Sequence, residues 1–390
     1  MVSRHVRVTV LAGLALAAAG GSAEAADGGE GKLAADGLVI AADDLALEVG
    51  ERRTYALATP AGEPIGEVGV AVVDRRRVGG TTLYRQAVRF GAMRIADQWV
   101  AVGDVGLAFY DSFGAALPDN HYPLPLEEGK AFGYESTRGK VRARVVGTEA
   151  VEVPAGKFPC LALVREREAG GEQETEREWV ARGVGTVKVT GEDFVMTLAS
   201  AEAPAKPEPE EGAVVLNTFD TPDPLRSERF PRGVWSGVVG EPGRSSVVDV
   251  DPFVGGANGT PFCLRWSYTT VGTWAAASMT PGGNPWTAAD LSKYKGVCFY
   301  IKGLLERPCT LTLHAKAAGE DRRTMVHIPV QVTTQWRRVV LTPETHPQMN
   351  GIDARQVYIV SLGDASEEGA ANVIWVDQVK LLLGGDEADF

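Results

Sequence analysis

From about Gly37 onward the chain is written in short runs of alternating apolar and polar residues, separated by Gly, Asp and Pro. Such alternation predicts antiparallel strands, because successive side chains of a strand point to opposite faces. In the first half the runs include Tyr55–Ala58, Val68–Val73, Leu83–Phe90, Gln98–Val102, Phe132–Glu135, Val141–Gly147, Glu149–Val164 and Glu178–Lys188. Pro154-Ala-Gly156 predicts a hairpin between two of them, and Gly183 and Gly185 let a strand begin after a tight turn. In the second half the predicted strands are Val214–Phe219, Val234–Val239, Ser245–Val250, Phe262–Thr269, Trp274–Thr280, Gly296–Lys302, Thr310–Lys316, Thr324–Val330, Arg337–Leu341, Gln356–Leu362 and Val373–Leu382. Only Ala288–Ser292 and Asp353–Arg355 read as helical turns. Many short strands, no long helix and a turn about every ten residues predict a sandwich or jelly roll there.

Between the two halves the pattern stops. Ala201–Gly212 is rich in Pro and Glu, whose rings and like charges favour an extended, stiff linker. At 390 residues the chain is too long for one ordinary core and suits two domains, residues 37–200 and 213–390. Residues 26–36 are Gly-, Ala-, Asp- and Glu-rich and read as a flexible leader. Before them stand a basic start (Arg4, His5, Arg7), an apolar stretch from Val8 to Ala19 and a small-x-small site at Ala23-Glu-Ala25. These are the parts of a secretory signal peptide cleaved after Ala25, so the protein is expected to be exported, to the periplasm or the outside. The apolar stretch is shorter than the roughly 20 residues of a spanning helix, and no later segment could span a bilayer.

The formal charge of −12 argues against nucleic acid as a partner, because phosphate binding needs clustered Lys and Arg. The four cysteines, Cys160, Cys263, Cys298 and Cys309, are few for an exported chain, which therefore relies on core burial. Cys298 and Cys309 fall on consecutive predicted strands, leaving open whether they are bonded or buried as free thiols. No GxSxG, HExxH, Walker loop or GxGxxG opening a helix is present, and no carboxylate pair stands out, so no catalytic residue is assigned.

Two resemblances attach to these runs. Pro123–Lys130, the Val153–Phe158 hairpin and Trp179–Gly185 resemble a group of uncharacterised bacterial exported β-domains, over roughly Leu124 to Leu198. That resemblance implies a curved antiparallel sheet, half-barrel-like in outline, and brings no reaction. Phe219-Asp220, Leu291–Gly303, Gln335–Thr342 and Ile374–Leu381 resemble galactose-binding-like jelly rolls, of the family 11 carbohydrate-binding module and complex I intermediate-associated protein type. The match spans the C-terminal domain and implies a β-sandwich jelly roll. The fold class expected for the chain is therefore all-β throughout.

Strand parity sorts candidate core from candidate site. Phe262, Leu264, Trp266 and Tyr268 share one face, as do Val297, Phe299 and Ile301, and Val326, Ile328 and Val330. The opposite face offers Arg265, Tyr300, Lys302, His314, Lys316 and His327, expected to be spread over adjacent strands. An aromatic face stacks on a pyranose ring while Arg and His hydrogen-bond its hydroxyls; an ordinary solvated face is the plain alternative. Trp266 and Trp336 are expected in the core, and Trp235, Trp274 and Trp286 near turns at the surface. The ligand candidates are thus Arg265, Tyr300, His314, His327, Trp274 and Trp286. The jelly-roll resemblance implies a structural calcium where the first and last strands meet, with Asp220 and Asp377 as the candidate ligands. Equally, Asp220 caps a turn and Asp377 faces water. The expected function is binding of a polysaccharide or other glycan without catalysis. The alternatives are a protein-interaction or assembly module, or an apolar-ligand carrier in the N-terminal half-barrel.

Overall fold

A computed structural model describes residues 37–383, apart from residue 46 and residues 79–80, 104–105, 206–211, 222–224, 241–244, 270–273 and 365–370. The predicted signal peptide and leader, and residues 206–211 of the predicted linker, lie outside the described residues. The chain divides into two compact units between Pro204 and Ala205.

The N-terminal unit has twelve strands: β1 (Arg52–Ala58), β2 (Pro64–Val78), β3 (Thr81–Phe90), β4 (Met93–Gly103), β5 (Gly106–Tyr110), β6 (Asn120–Tyr122), β7 (Ala131–Ser136), β8 (Gly139–Val153), β9 (Gly156–Ala169), β10 (Glu172–Ala181), β11 (Gly185–Thr190) and β12 (Val195–Glu202). They form one antiparallel sheet in the order β6-β5-β4-β3-β2-β1-β12-β11-β10-β9-β8-β7. Its two edges are consecutive in the chain. Laid flat, twelve strands would separate those edges by ~50 Å, whereas the eight residues between Tyr122 and Ala131 reach at most ~30 Å. The sheet must therefore curl, as the half-barrel expectation requires.

Strand β9 is buried on both faces. Cys160, Leu161, Ala162 and Leu163 are all fully buried. Cys160 and Ala162 face one apolar cluster with Tyr55, Trp179 and Leu198. Leu161 and Leu163 face the other, with Val100, Phe109 and Ile40. Ile40, which bridges to Leu126, brings the strand-less start of the unit into that second cluster. The Pro154-Ala155 turn joins β8 to β9 as predicted.

The C-terminal unit has eleven strands: β13 (Ala213–Asn217), β14 (Val234–Val239), β15 (Ser246–Asp251), β16 (Cys263–Thr269), β17 (Ala275–Thr280), β18 (Tyr294–Gly303), β19 (Arg307–Ala317), β20 (Arg323–Val332), β21 (Arg337–Leu341), β22 (Ile352–Asp364) and β23 (Ala371–Leu383). A six-stranded sheet runs β15-β16-β23-β18-β21, with β13 also paired to β23, and a five-stranded sheet runs β14-β17-β22-β19-β20. Their facing residues form one core that includes Trp266, Tyr268, Phe299, Ile328 and Leu362.

Several local expectations are corrected. Asp353–Arg355 lies inside β22 and Ala289 bridges to Val357, so neither predicted helical turn forms; short 3-10 turns lie instead at Ala257–Gly259 and Pro347–Gly351. Trp235 is buried in the core, and Trp336 is half-buried outside it. All four cysteines are buried, and none is joined in a disulfide. Cys298 and Cys309 cannot meet as strand neighbours, because β18 and β19 belong to different sheets.

Candidate functional site

Alternation in the five-stranded sheet turns Trp235, Ala277, Leu313 and Leu362 inward and the residues between them outward. The registers then line up Ser236, Ser278, Ser361, Thr312 and His327 across all five strands. At the usual strand spacing this row is ~19 Å long. Ser278, Ser361 and Thr312 are only 7%, 6% and 9% exposed although they point away from the core. Their side chains are thus covered by neighbouring residues of the same outward face. The Thr312 hydroxyl lies 3.1 Å from His327 Nδ1.

Beside this row His314 sits opposite Ile359 on one side and Met325 on the other. Burial, and the charge that His327 carries when protonated, hold the His314 imidazole below the usual histidine range. Trp274 is exposed at the start of β17. Towards the other end of the strands, the Arg323 guanidinium lies between Trp286 and Tyr358, 4.9 Å and 4.1 Å from their ring centroids. Trp286 is nevertheless 75% exposed. One face of its ring is held by the cation and the rest is offered to solvent.

The predicted ligand set does not stay together. His314 on β19 and His327 on β20 belong to the five-stranded sheet, with Trp274 just before β17 and Trp286 in the connection after it, while Arg265 on β16 and Tyr300 on β18 belong to the six-stranded one. Both are on its outward side, facing away from the shared core, so no single cleft contains all six. There Arg265 pairs in register with Asp249 and Trp375, and the Lys302 ammonium stands 5.1 Å and 5.3 Å from the Trp336 and Trp375 rings. The Tyr300 hydroxyl accepts a hydrogen bond from Asn258 at 3.2 Å. Sequence reasoning missed the hydroxyl row, Tyr358 and Arg323. Their signal, small polar residues alternating with core residues on four strands, becomes a site only once the register is known.

Asp220 and Asp377 come together as expected. Asp377 is fully buried, which removes the water-facing alternative for it. Its Oδ2 accepts from the Ala257 amide at 2.8 Å and the Thr260 hydroxyl at 2.6 Å, and its Oδ1 from the Gln378 amide at 2.7 Å. Asp220 Oδ1 accepts from the Phe262 amide at 3.1 Å, while its Oδ2 is buried with no hydrogen-bond partner among the described residues. Burial, then the neighbouring Asp377 charge, pushes Asp220 up to about 7; burial pushes Asp377 up to about 7 against its own hydrogen bonds. A side chain at Gly256 would fall 2.3 Å from Asp377 Oδ2 and 1.9 Å from the Thr260 hydroxyl, so only glycine fits the cradle. A buried carboxylate pair with an orphan oxygen fits a hard cation, which takes carboxylate, carbonyl and water oxygens. Among the described residues no group of three or more His, Cys, Asp or Glu is placed to hold a metal. The other ligands would have to be carbonyls and water.

In the N-terminal unit the face of β9 and β10 that carries Leu161, Leu163 and Val180 continues into a buried charged network. Arg165 Nη2 donates to Glu178 Oε2 at 2.7 Å, Tyr122 donates to the same oxygen at 2.9 Å, and the Thr186 hydroxyl donates to Oε1 at 2.6 Å. Glu178 is fully buried and Arg165 and Arg167 almost so. No helix of the described residues is long and apolar enough to cross a membrane.

No protein-family model matches the chain, and no curated protein matches it in sequence. Among solved structures it is similar to the family 11 carbohydrate-binding module of cellulosomal cellulase Lic26A-Cel5E of Clostridium thermocellum, with 16% identity over 44% of this chain and 95% of that one and a TM-score of 0.33. It is similar also to the family 30 module of cellulase Cel9D-Cel44B of the same organism, at 20% identity over 39% and 92%, TM-score 0.33. A third likeness is to a putative exported protein with a YmcC-like fold from Bacteroides fragilis, at 16% identity over 40% and 97%, TM-score 0.31.

Proposed function

We propose that the C-terminal unit binds carbohydrate along the outward face of its five-stranded sheet, by stacking and hydrogen bonding and without chemistry. The observation that carries this reading is the row of outward-facing but barely exposed hydroxyls, bordered by the exposed Trp286 platform. Hydroxyl donors and acceptors at strand spacing suit a polyhydroxylated chain, and an indole suits the apolar face of a pyranose. Arg265 and Tyr300 are left out of this site because they stand on the other sheet. Affinity electrophoresis of the whole protein through gels containing β-glucan, mannan or galactan tests it. Retardation is expected on at least one polymer, to be lost in Trp286→Ala and kept in Tyr300→Ala. No retardation on any of them, or equal damage from the two substitutions, rejects the face.

Two narrower readings accompany it. Asp220 and Asp377 hold a structural calcium ion, supported by the orphan Oδ2 and by the mutual repulsion that a cation would relieve. The protein is exported, with cleavage after Ala25; N-terminal sequencing of the mature protein should begin at Ala26, and an intact Met1 would reject it.

A further inference from the structure

Between the two sheets of the C-terminal unit lies a cavity of about 100 Å³. Met279, Leu313, Val360 and Leu381 line it from the core, and the half-buried Leu291, Tyr294, Met349 and Ile352 line it toward the surface. Tyr294 is held from outside by Arg229, whose Nε donates to its hydroxyl at 2.9 Å. Among the lining residues only Lys295 is charged, and it is exposed. The wall is thus hydrocarbon with one cation at the surface end.

Water gains little in such a space, since a buried water needs two to four polar partners. A sugar fails for the same reason. The volume is below the roughly 150 Å³ of an apolar cavity that admits benzene, and amounts to about three to five methylene groups at the ~30 Å³ a water occupies in the liquid. Met279 and Met349, unbranched and adaptable, suit a flexible guest better than a rigid ring. Lys295 supplies a partner for an anionic end of that guest.

We propose that this cavity is a binding site for a short aliphatic carboxylate, with the chain between the sheets and the carboxylate at the Lys295 ammonium. It does not rest on the carbohydrate reading, because the cavity is bounded by inward-facing residues of the sheets and the hydroxyl row faces outward.

Calorimetric titration of the whole protein with hexanoate, hexanol, acetate and palmitate tests it. Hexanoate is expected to bind saturably and acetate not at all. Lys295→Ala should weaken hexanoate about ten-fold and leave hexanol unchanged, and Ala354→Phe, which puts a ring into the cavity wall, should abolish both. Palmitate binding more tightly than hexanoate would assign the guest as the end of a longer acyl chain, within the same chemistry. Lack of saturation by hexanoate, acetate binding as well as hexanoate, or a Lys295→Ala protein that binds hexanoate normally overturns the proposal. Retardation by polysaccharide should be the same with and without hexanoate, so failure of one site leaves the other standing.

Discussion

Trp286 and Arg323 set the terms at the scale of single residues. An exposed cation–π contact is worth only about 0.5–1 kcal/mol, so Arg323→Ala should hardly change the melting temperature. It frees the indole, however, and polysaccharide affinity should fall several-fold because ordering the ring then has to be met on binding. Isothermal titration beside a melting curve separates the two effects; equal losses in both would make Arg323 a structural residue only. The aspartate pair behaves differently. Its carboxyls titrate near 7 in the folded protein against about 3.9 when unfolded. The folded state therefore holds more protons between those values, and the stabilisation is present in full below about pH 4 and lost as pH rises through about 7. Melting measured with a chelator should decline across that window, and calcium should restore it at pH 8. In Asp377→Asn the pH dependence should flatten and the calcium response vanish. A melting temperature indifferent to calcium at pH 8 removes the metal. Of these residues, Asp220 and Asp377 were readable from their places at the two ends of a jelly roll. Gly256 and Thr260 were not, because what makes them matter is a contact across more than a hundred residues of chain.

Elements show where alternation is informative and where it stops. Parity placed Trp266, Tyr268, Phe299 and Ile328 in the core, because a strand with one buried face has to point every second side chain at it. Parity does not say to which sheet a strand belongs. Arg265 and His314 both read as outward, and both are, on opposite sheets; Cys298 and Cys309 were separated by the same ambiguity. Trp235 and Trp336 exchanged places with expectation, since a tryptophan at a strand margin is committed to core or surface by the approach of a neighbouring loop. In β9 and β10 the buried Glu178 is a further element-level feature without a sequence signal. Glu178→Ala leaves Arg165 charged and buried, so about 3–5 kcal/mol of stability should be lost. Glu174→Ala, beside the half-exposed end of the same strand, should cost less than about 1 kcal/mol. Urea midpoints of the two variants provide the comparison, and similar values would show that the network carries no special weight.

For the whole molecule, burial in place of disulfides is the main means of stability. Burial raises the Cys160 and Cys309 thiols to about 12, and all four cysteines are enclosed. Native protein at pH 8 should therefore resist iodoacetamide for hours and react fully in guanidinium, and a reducing agent should leave the melting temperature unchanged. Rapid labelling of the native protein would contradict the packing described. The chain divides between Pro204 and Ala205, within a Pro/Glu-rich stretch whose composition cannot bury a core. The curl of the twelve-stranded sheet was expected only through the family resemblance, because in the strand pattern alone it depends on which strands become edges. In each unit the first and last strands are paired antiparallel, Arg52 beside Glu202 and Ala213 beside Leu382, so the chain enters and leaves its sheet at points ~5 Å apart. The C-terminal unit thus has the geometry of an insert: it can be spliced into a hairpin of a host protein without prying the host strands apart, and its sheet can be re-ended at another loop by joining these two positions.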